Sequence, residues 1–157
     1  MVRNQVRAYT DGSACVKGDK LGGFGVYIID NDKEYFYRAG YKNTKTGRME
    51  LRAMITCLQQ IEDKTSNVHI HSDSEYVVLC VSNRRLWMWQ RKIWVGLKNV
   101  DLLKIYLEEY NKFVVPPKIF HVKGHTKKGD IHSLGNAIAD ALADYKSQKS
   151  FIMDLDY

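Results

Sequence analysis

Three short runs of alternating apolar and polar residues open the chain, and then the period changes. Gln5 to Thr10, Gly23 to Ile29 and Glu34 to Ala39 read as strands, the last two joined by the turn Asp30-Asn31-Asp32. Beyond them Leu51, Met54, Ile55, Leu58 and Ile61 recur at helical spacing, from a start near Arg48 to an end around Asp63-Lys64. This switch confines the chain to folds that join an antiparallel meander to helical crossovers.

The later segments say how the sheet grows. Val68-His69-Ile70-His71 alternates as a strand and stops at Ser72-Asp73-Ser74, whose serines suit the N-cap of a helix from Glu75 through Val81. Asn99 caps a further helix with Leu102, Leu103, Tyr106, Leu107 and Tyr110 on its apolar face, and Pro116-Pro117 breaks the chain before a strand from Ile119 to Val122. A Gly- and Lys-rich loop, Lys123 to Gly135, leads to a last helix from Asn136 to about Tyr145, with Ile138, Ala141, Leu142 and Tyr145 turned to the core. The expected fold is α/β, a five-stranded mixed sheet in which parallel strands extend the meander and helices flank both. Residues 1–146 form a single domain in this reading, and 147–157 a loosely held tail.

Composition narrows the function. A chain of 157 residues, 45% of them hydrophobic, has room for one core and shows no linker, repeat or low-complexity run. The net charge of +6 gathers in the second half, at Arg84-Arg85, Arg91-Lys92, Lys98, Lys123 and Lys127-Lys128, which suits a polyanionic partner. Cys15, Cys57 and Cys80 form no CxxC pair and are odd in number, so reduced thiols are expected in place of a disulfide framework or a zinc site. No stretch approaches the length of a membrane span and no apolar signal core opens the chain, giving a cytoplasmic expectation. Met1 followed closely by the first strand suggests a free-standing enzyme.

Four carboxylates carry the chemistry: Asp11 in Tyr9-Thr10-Asp11-Gly12-Ser13, Glu50 in Arg48-Met49-Glu50-Leu51-Arg52, Asp73 in His71-Ser72-Asp73-Ser74-Glu75, and Asp140 closing Asn136-Ala137-Ile138-Ala139-Asp140. Taken singly, Asp11 fits a turn, Glu50 the first turn of a helix, Asp73 a cap and Asp140 a solvated surface. Taken together, with Asp11 and Asp73 ending strands that can pair side by side, they suggest a cage for two divalent ions. Two such ions can activate water on one side of a phosphorus and steady the leaving oxygen on the other. His125, in the basic loop, suits a proton shuttle. His69, His71, His121 and His132 suit structural or surface positions. Trp87, Trp89 and Trp94 interleave with basic residues; Trp87 fits the core, the other two a nucleic-acid surface.

Five ordered segments, Thr10-Asp11-Gly12-Ser13, Arg48-Met49-Glu50-Leu51, Ser72-Asp73-Ser74-Glu75-Tyr76-Val77, Val122-Lys123-Gly124-His125 and Asn136 to Asp140, resemble the type 1 ribonuclease H family. The resemblance implies Asp11, Glu50, Asp73 and Asp140 as ligands of two magnesium ions, with manganese as an alternative, and His125 as the assisting histidine. It also implies nucleic-acid contacts at Arg48, Trp89, Arg91, Lys92, Trp94 and Asn136. The stretch Trp89 to Trp94 is similar to the start of the family's basic protrusion, cut short here at Val95-Gly96-Leu97-Lys98. Thr46-Gly47 stands where asparagines often read the minor groove.

The implied activity is cleavage of the RNA strand of RNA/DNA hybrids, leaving 5′-phosphate and 3′-hydroxyl ends. The partner would be the hybrid itself, with no membrane and no obligate protein partner, and the protein a monomer. A non-catalytic nucleic-acid-binding module of the same fold, a related metal nuclease such as a junction resolvase, and a two-carboxylate glycosidase are the alternatives. Concentrated negative charge facing phosphates argues against the first. The basic tryptophan segment and the Lys-Gly-His loop argue against the others.

Overall fold

The computed structural model describes residues 3–81, 88, 91, 97–123 and 130–154. Strand β1 spans Gln5–Ala14, β2 Gly22–Asp30 and β3 Lys33–Lys42, paired antiparallel in that order. Helix α1 (Thr46–Gln60) crosses to β4 (Asn67–Ser72), which lies parallel to β1. Helices α2 (Glu75–Cys80) and α3 (Val100–Tyr110) precede β5 (Lys118–His121), parallel to β4, and α4 (Ile131–Ala143) follows. A two-residue strand, β6 (Ile152–Met153), closes the far edge, so the order across the sheet is β5-β4-β1-β2-β3-β6.

The sheet therefore has six strands, one more than its sequence pattern predicts. The extra strand comes from the segment expected to hang loose. After a short 3-10 turn at Tyr145–Ser147, Ile152 and Met153 pair with Tyr41 and Lys42, and the Asp154 amide donates to the Lys42 carbonyl at 2.9 Å. Asp154 then enters the interior, where its carboxylate accepts from Arg48 Nε at 2.9 Å, Arg48 Nη2 at 3.0 Å, Arg52 Nη2 at 2.7 Å and Thr44 Oγ1 at 2.6 Å. Two residues of strand carry no readable period, so only the contacts reveal them.

Strand alternation divides the two faces of the sheet. Val6 and Ala8 of β1, Val26 and Ile28 of β2, and Val68 and Ile70 of β4 face α1 and α3, together with Met49, Leu51, Met54, Leu58, Leu102 and Tyr106. Tyr9 and Tyr27 face the other way, against Ala139 of α4. Helix α4 begins at Ile131, capped by the Asp130 carboxylate accepting from the His132 amide at 3.0 Å, five residues earlier than the Gly- and Lys-rich loop suggests. Its buried face is Gly135, Asn136, Ala139 and Ala143, while Ile138 and Leu142 are half-buried and Ala141 is exposed. The cause lies in the sheet: a Cβ on Gly25 would stand 2.5 Å from the Ala139 carbonyl oxygen and from Leu142 Cβ. The helix comes so close that its small residues, and not its large ones, meet the strands.

Among the described residues no helix is long and apolar enough to cross a membrane. Cys57 is buried and its thiol is pushed up to about 12 by that burial, while Cys15 and Cys80 are half-buried, and none of the three is in a disulfide.

Candidate active site

Asp11 lies inside β1 and does not end it, since the strand continues to Ala14 opposite β2, with Asp11 beside Gly25. It shares a sheet face with Asp73, which follows the last residue of β4, because β1 and β4 run parallel and in register. Glu50 arrives from the opposite face on α1. That helix opens at Thr46, so Glu50 stands beyond its first turn and not within it. What lets the helix reach the strand is Gly12. A Cβ there would sit 2.4 Å from the Glu50 amide nitrogen and 2.6 Å from the Met49 carbonyl carbon. A glycine within a strand marks such a close backbone approach, a signal hidden by reading Asp11-Gly12 as a turn.

The result is a cluster in which one carboxylate oxygen each from Asp11, Glu50 and Asp73 lie within 4.8 Å of one another. Asp11 is 5% exposed and Glu50 6%, and Glu50 Oε2 is buried with no hydrogen-bond partner. Burial foremost, then the charges of Asp11 and Asp73, push Glu50 up to about 10. Burial likewise raises Asp11, followed by a hydrogen bond with Asp140 and the charge of Asp73. Asp140 thus adjoins Asp11 while remaining exposed, outside the tight group of three. Buried carboxylates crowded together are in tension unless a cation joins them. Hard oxygen donors at this spacing, one of them orphaned and buried, fit a divalent ion such as magnesium.

Asn136 and Asp140 are four apart on α4 and so share one helix face. Asn136 is buried and donates its Nδ2 to Asp73 Oδ2 at 3.4 Å. It therefore braces a carboxylate, a more interior position than a surface contact. Arg48 departs further from expectation. Its side chain is wholly buried and its guanidinium donates to Asp154, to Asp101 at 2.8 and 3.0 Å and to Asn99, so it ties α1 to the tail and to α3 at the inner wall of the groove beside Glu50. Arg91 is exposed. His125, Trp87, Trp89, Lys92 and Trp94 lie outside the described residues.

Beside Glu50 a groove of ≈ 1000 Å³ opens between the start of α1 and the start of α3, with Lys45, Thr46, Tyr76, Lys98 and Asn99 on its walls. Asn99 occupies the N-cap position of α3 in the left-handed region (φ 59°) but makes no side-chain cap bond. Its amide instead donates to the Tyr76 hydroxyl at 2.7 Å and its Oδ1 accepts from Arg48 at 3.3 Å, joining α2 to α3 across the groove. Helical spacing alone does not report that pairing.

The family model for RNase H matches residues 3–148. The chain belongs to the ribonuclease H family. A protein named Ribonuclease H from Trichodesmium erythraeum is 35% identical over 152 residues, covering 94% of this chain and 91% of its relative. Another Ribonuclease H, from Lachnoclostridium phytofermentans, is 38% identical over 131 residues, covering 77% and 81%. The solution structure of the prototype foamy virus RNase H domain superposes with a TM-score of 0.72 at 25% identity, covering 90% of this chain and 93% of that domain. As a ribonuclease H the protein is a nuclease, and the carboxylate cluster lies where the matched segments of the ribonuclease H pattern converge.

Proposed function

We propose that this ribonuclease H hydrolyses phosphodiester bonds of the RNA strand in RNA/DNA hybrids, leaving 5′-phosphate and 3′-hydroxyl ends, and that it does so with two divalent ions, magnesium or manganese. The observation that carries the reading is the grouping of Asp11, Glu50 and Asp73 within 4.8 Å, two of them buried. Bound divalent ions would supply an activated water and charge stabilisation of the leaving oxygen. Asp11, Glu50 and Asp73 would hold them, with Asp140 completing the donor set at the mouth.

The remaining residues position and recognise. Asn136 fixes the rotamer of Asp73, and Gly12 keeps Glu50 in range of Asp11. The groove lined by Lys45, Lys98, Tyr76 and Asn99 offers cations and hydrogen-bond donors to a phosphate backbone next to the carboxylates. His125 serves as the proton shuttle, and the segment Trp89 to Trp94 as a further contact to the hybrid. The protein acts as a monomer in the cytoplasm, a compartment in which its thiols stay reduced.

Incubation of labelled RNA/DNA hybrid, double-stranded RNA and double-stranded DNA with wild type and Asp73→Asn, in magnesium or in EDTA, tests the reading. Wild type should cut only the RNA of the hybrid and only with magnesium, and the variant should be inactive. Equal cutting by the variant, cutting in EDTA, or indifference to substrate would overturn it.

A further inference from the structure

The sheet face that carries Asp11 and Asp73 continues toward the other end of the strands, two residues at a time, to side chains the hydrolytic reading leaves unused. Tyr9 and His71 come first, then Arg7 and His69, with Lys118 beside His69 on β5. The start of α4 covers Tyr9 and His71: the Tyr9 hydroxyl and His132 Nδ1 are 2.8 Å apart, and the His132 ring stacks on His71 with centroids 4.2 Å apart. In the next row Arg7 and His69 are half-buried beneath an open cleft of ≈ 690 Å³, with His71, Phe120 and His132 also on its walls, while Lys118 is exposed beside His69 on β5.

Arg7 and Lys118 stand on either side of His69 across three adjacent strands, two cations facing the same way with one ring between them. No ion pair among the described residues takes in Arg7 or Lys118. Asp32, at the turn between β2 and β3, is the one carboxylate on the cleft wall among the described residues. Arg7 Nε and His69 Nε2 are both buried without a hydrogen-bond partner, in an interior that ordinarily satisfies such atoms.

Alongside the cations runs a band of rings, one from each of five neighbouring strands. Phe36, Tyr27, Tyr9, His71 and Phe120 follow in order, with successive centroids 5.1, 6.0, 5.1 and 5.2 Å apart. Phe120 ends the band 39% exposed, and the His69 ring tilts against it at 5.1 Å. Exposed rings on a sheet beside cations outside any ion pair are the means by which proteins hold single strands, bases on the rings and phosphates on the cations.

We propose that this open face is a second nucleic-acid site, which binds a single-stranded polynucleotide with its phosphates on Arg7 and Lys118 and a base on Phe120 and His69. The site is distinct from the groove beside Glu50, because the start of α4 stands between the cleft and the carboxylates. It goes beyond the hydrolytic reading and does not rest on it, since no metal is needed for it to bind.

Fluorescence anisotropy of a short labelled oligo(dT), titrated in EDTA over a range of salt, tests the assignment on wild type, Lys118→Gln, Arg7→Gln, the double variant and Phe120→Ala. Removing one phosphate-binding cation should flatten the slope of log K against log salt by about 0.7, and removing both, in the double variant, by about 1.4. Phe120→Ala should weaken binding roughly ten- to a hundredfold, as loss of one stacked base does, with the slope unchanged. Lys118 is exposed, so Lys118→Gln reads the site without disturbing the fold, and hybrid cutting by that variant should match wild type. A wild-type slope in both Lys118→Gln and the double variant would overturn the proposal. Inorganic triphosphate competing as well as the oligonucleotide would show a bare anion site and overturn the polynucleotide assignment. Oligonucleotide binding retained by Asp73→Asn, whatever that variant does to the hybrid, keeps this outcome separate from the fate of the hydrolytic reading.

Discussion

Replacing Glu50 with glutamine should make the metal-free protein more stable. Glu50 is raised to about 10 by burial first and by Asp11 and Asp73 next, against 4.5 for an ordinary glutamate. At pH 7 the folded protein therefore holds a proton that the unfolded chain has released. The gap between 4.5 and 7 corresponds to roughly 3 kcal/mol lost from stability. The sign follows from proton counting: with fewer protons on the unfolded chain, stability falls as pH rises from about 4.5 toward 10. Glu50→Gln keeps the shape and removes the titration. In EDTA at pH 7 its urea midpoint should exceed that of wild type by something on the order of 1 M, given a slope of about 1–3 kcal/mol/M. At pH 5 the advantage should shrink to under about 1 kcal/mol. Magnesium should then favour wild type, by about 2.7 kcal/mol at a hundred times the dissociation constant, and the variant far less, because it lacks a ligand. A variant no more stable than wild type in EDTA at pH 7, or an advantage that does not change between pH 5 and 7, would refute the reasoning.

Asp154→Ala should lower stability by about 1–3 kcal/mol in urea denaturation, because it removes one of the two carboxylates that pair with the buried Arg48 and takes away the acceptor that its Nε donates to. The same contact predicts an acid transition: burial alone would raise Asp154, but hydrogen bonds from Arg48, Thr44 and Arg52 hold it at about 2 against 3.8 unfolded, so its contribution is present above pH 3.8 and lost as pH falls toward 2. Gly12→Ala forces a methyl group against the backbone of α1, and should cost about 1–3 kcal/mol in thermal or urea unfolding while lowering kcat on hybrid by moving Glu50. His125→Ala should slow kcat by about 10²-fold or more, with KM little changed, in steady-state assays on hybrid.

Element order and type are largely legible because every strand except the two-residue β6 alternates and each longer helix repeats its apolar residues at the spacing of its turns. The boundaries are less so. Asp11 and Glu50 sit beyond the expected strand end and helix turn because the sheet extends its pairing past the last clear alternation, and because α1 starts at Thr46 with no side-chain cap to announce it. The face of α4 escapes sequence reading for a different reason. Apolar size points to Ile138 and Leu142, but the glycine surface of β2 admits the helix backbone itself, which favours Ala139 and Ala143.

Residue order alone is enough to pick out Asp11, Glu50, Asp73 and Asp140, since ordered short motifs survive in one dimension even where the elements carrying them begin and end elsewhere. Their grouping is a matter for the tertiary structure. So are the burial of Arg48 behind Asp154, the bracing of Asp73 by Asn136, and the row of Arg7, His69 and Lys118 across three strands. Each joins residues that are tens of positions apart, and such pairings leave no local pattern. Strand register decides which side chains become neighbours, and burial decides how strongly their charges are felt.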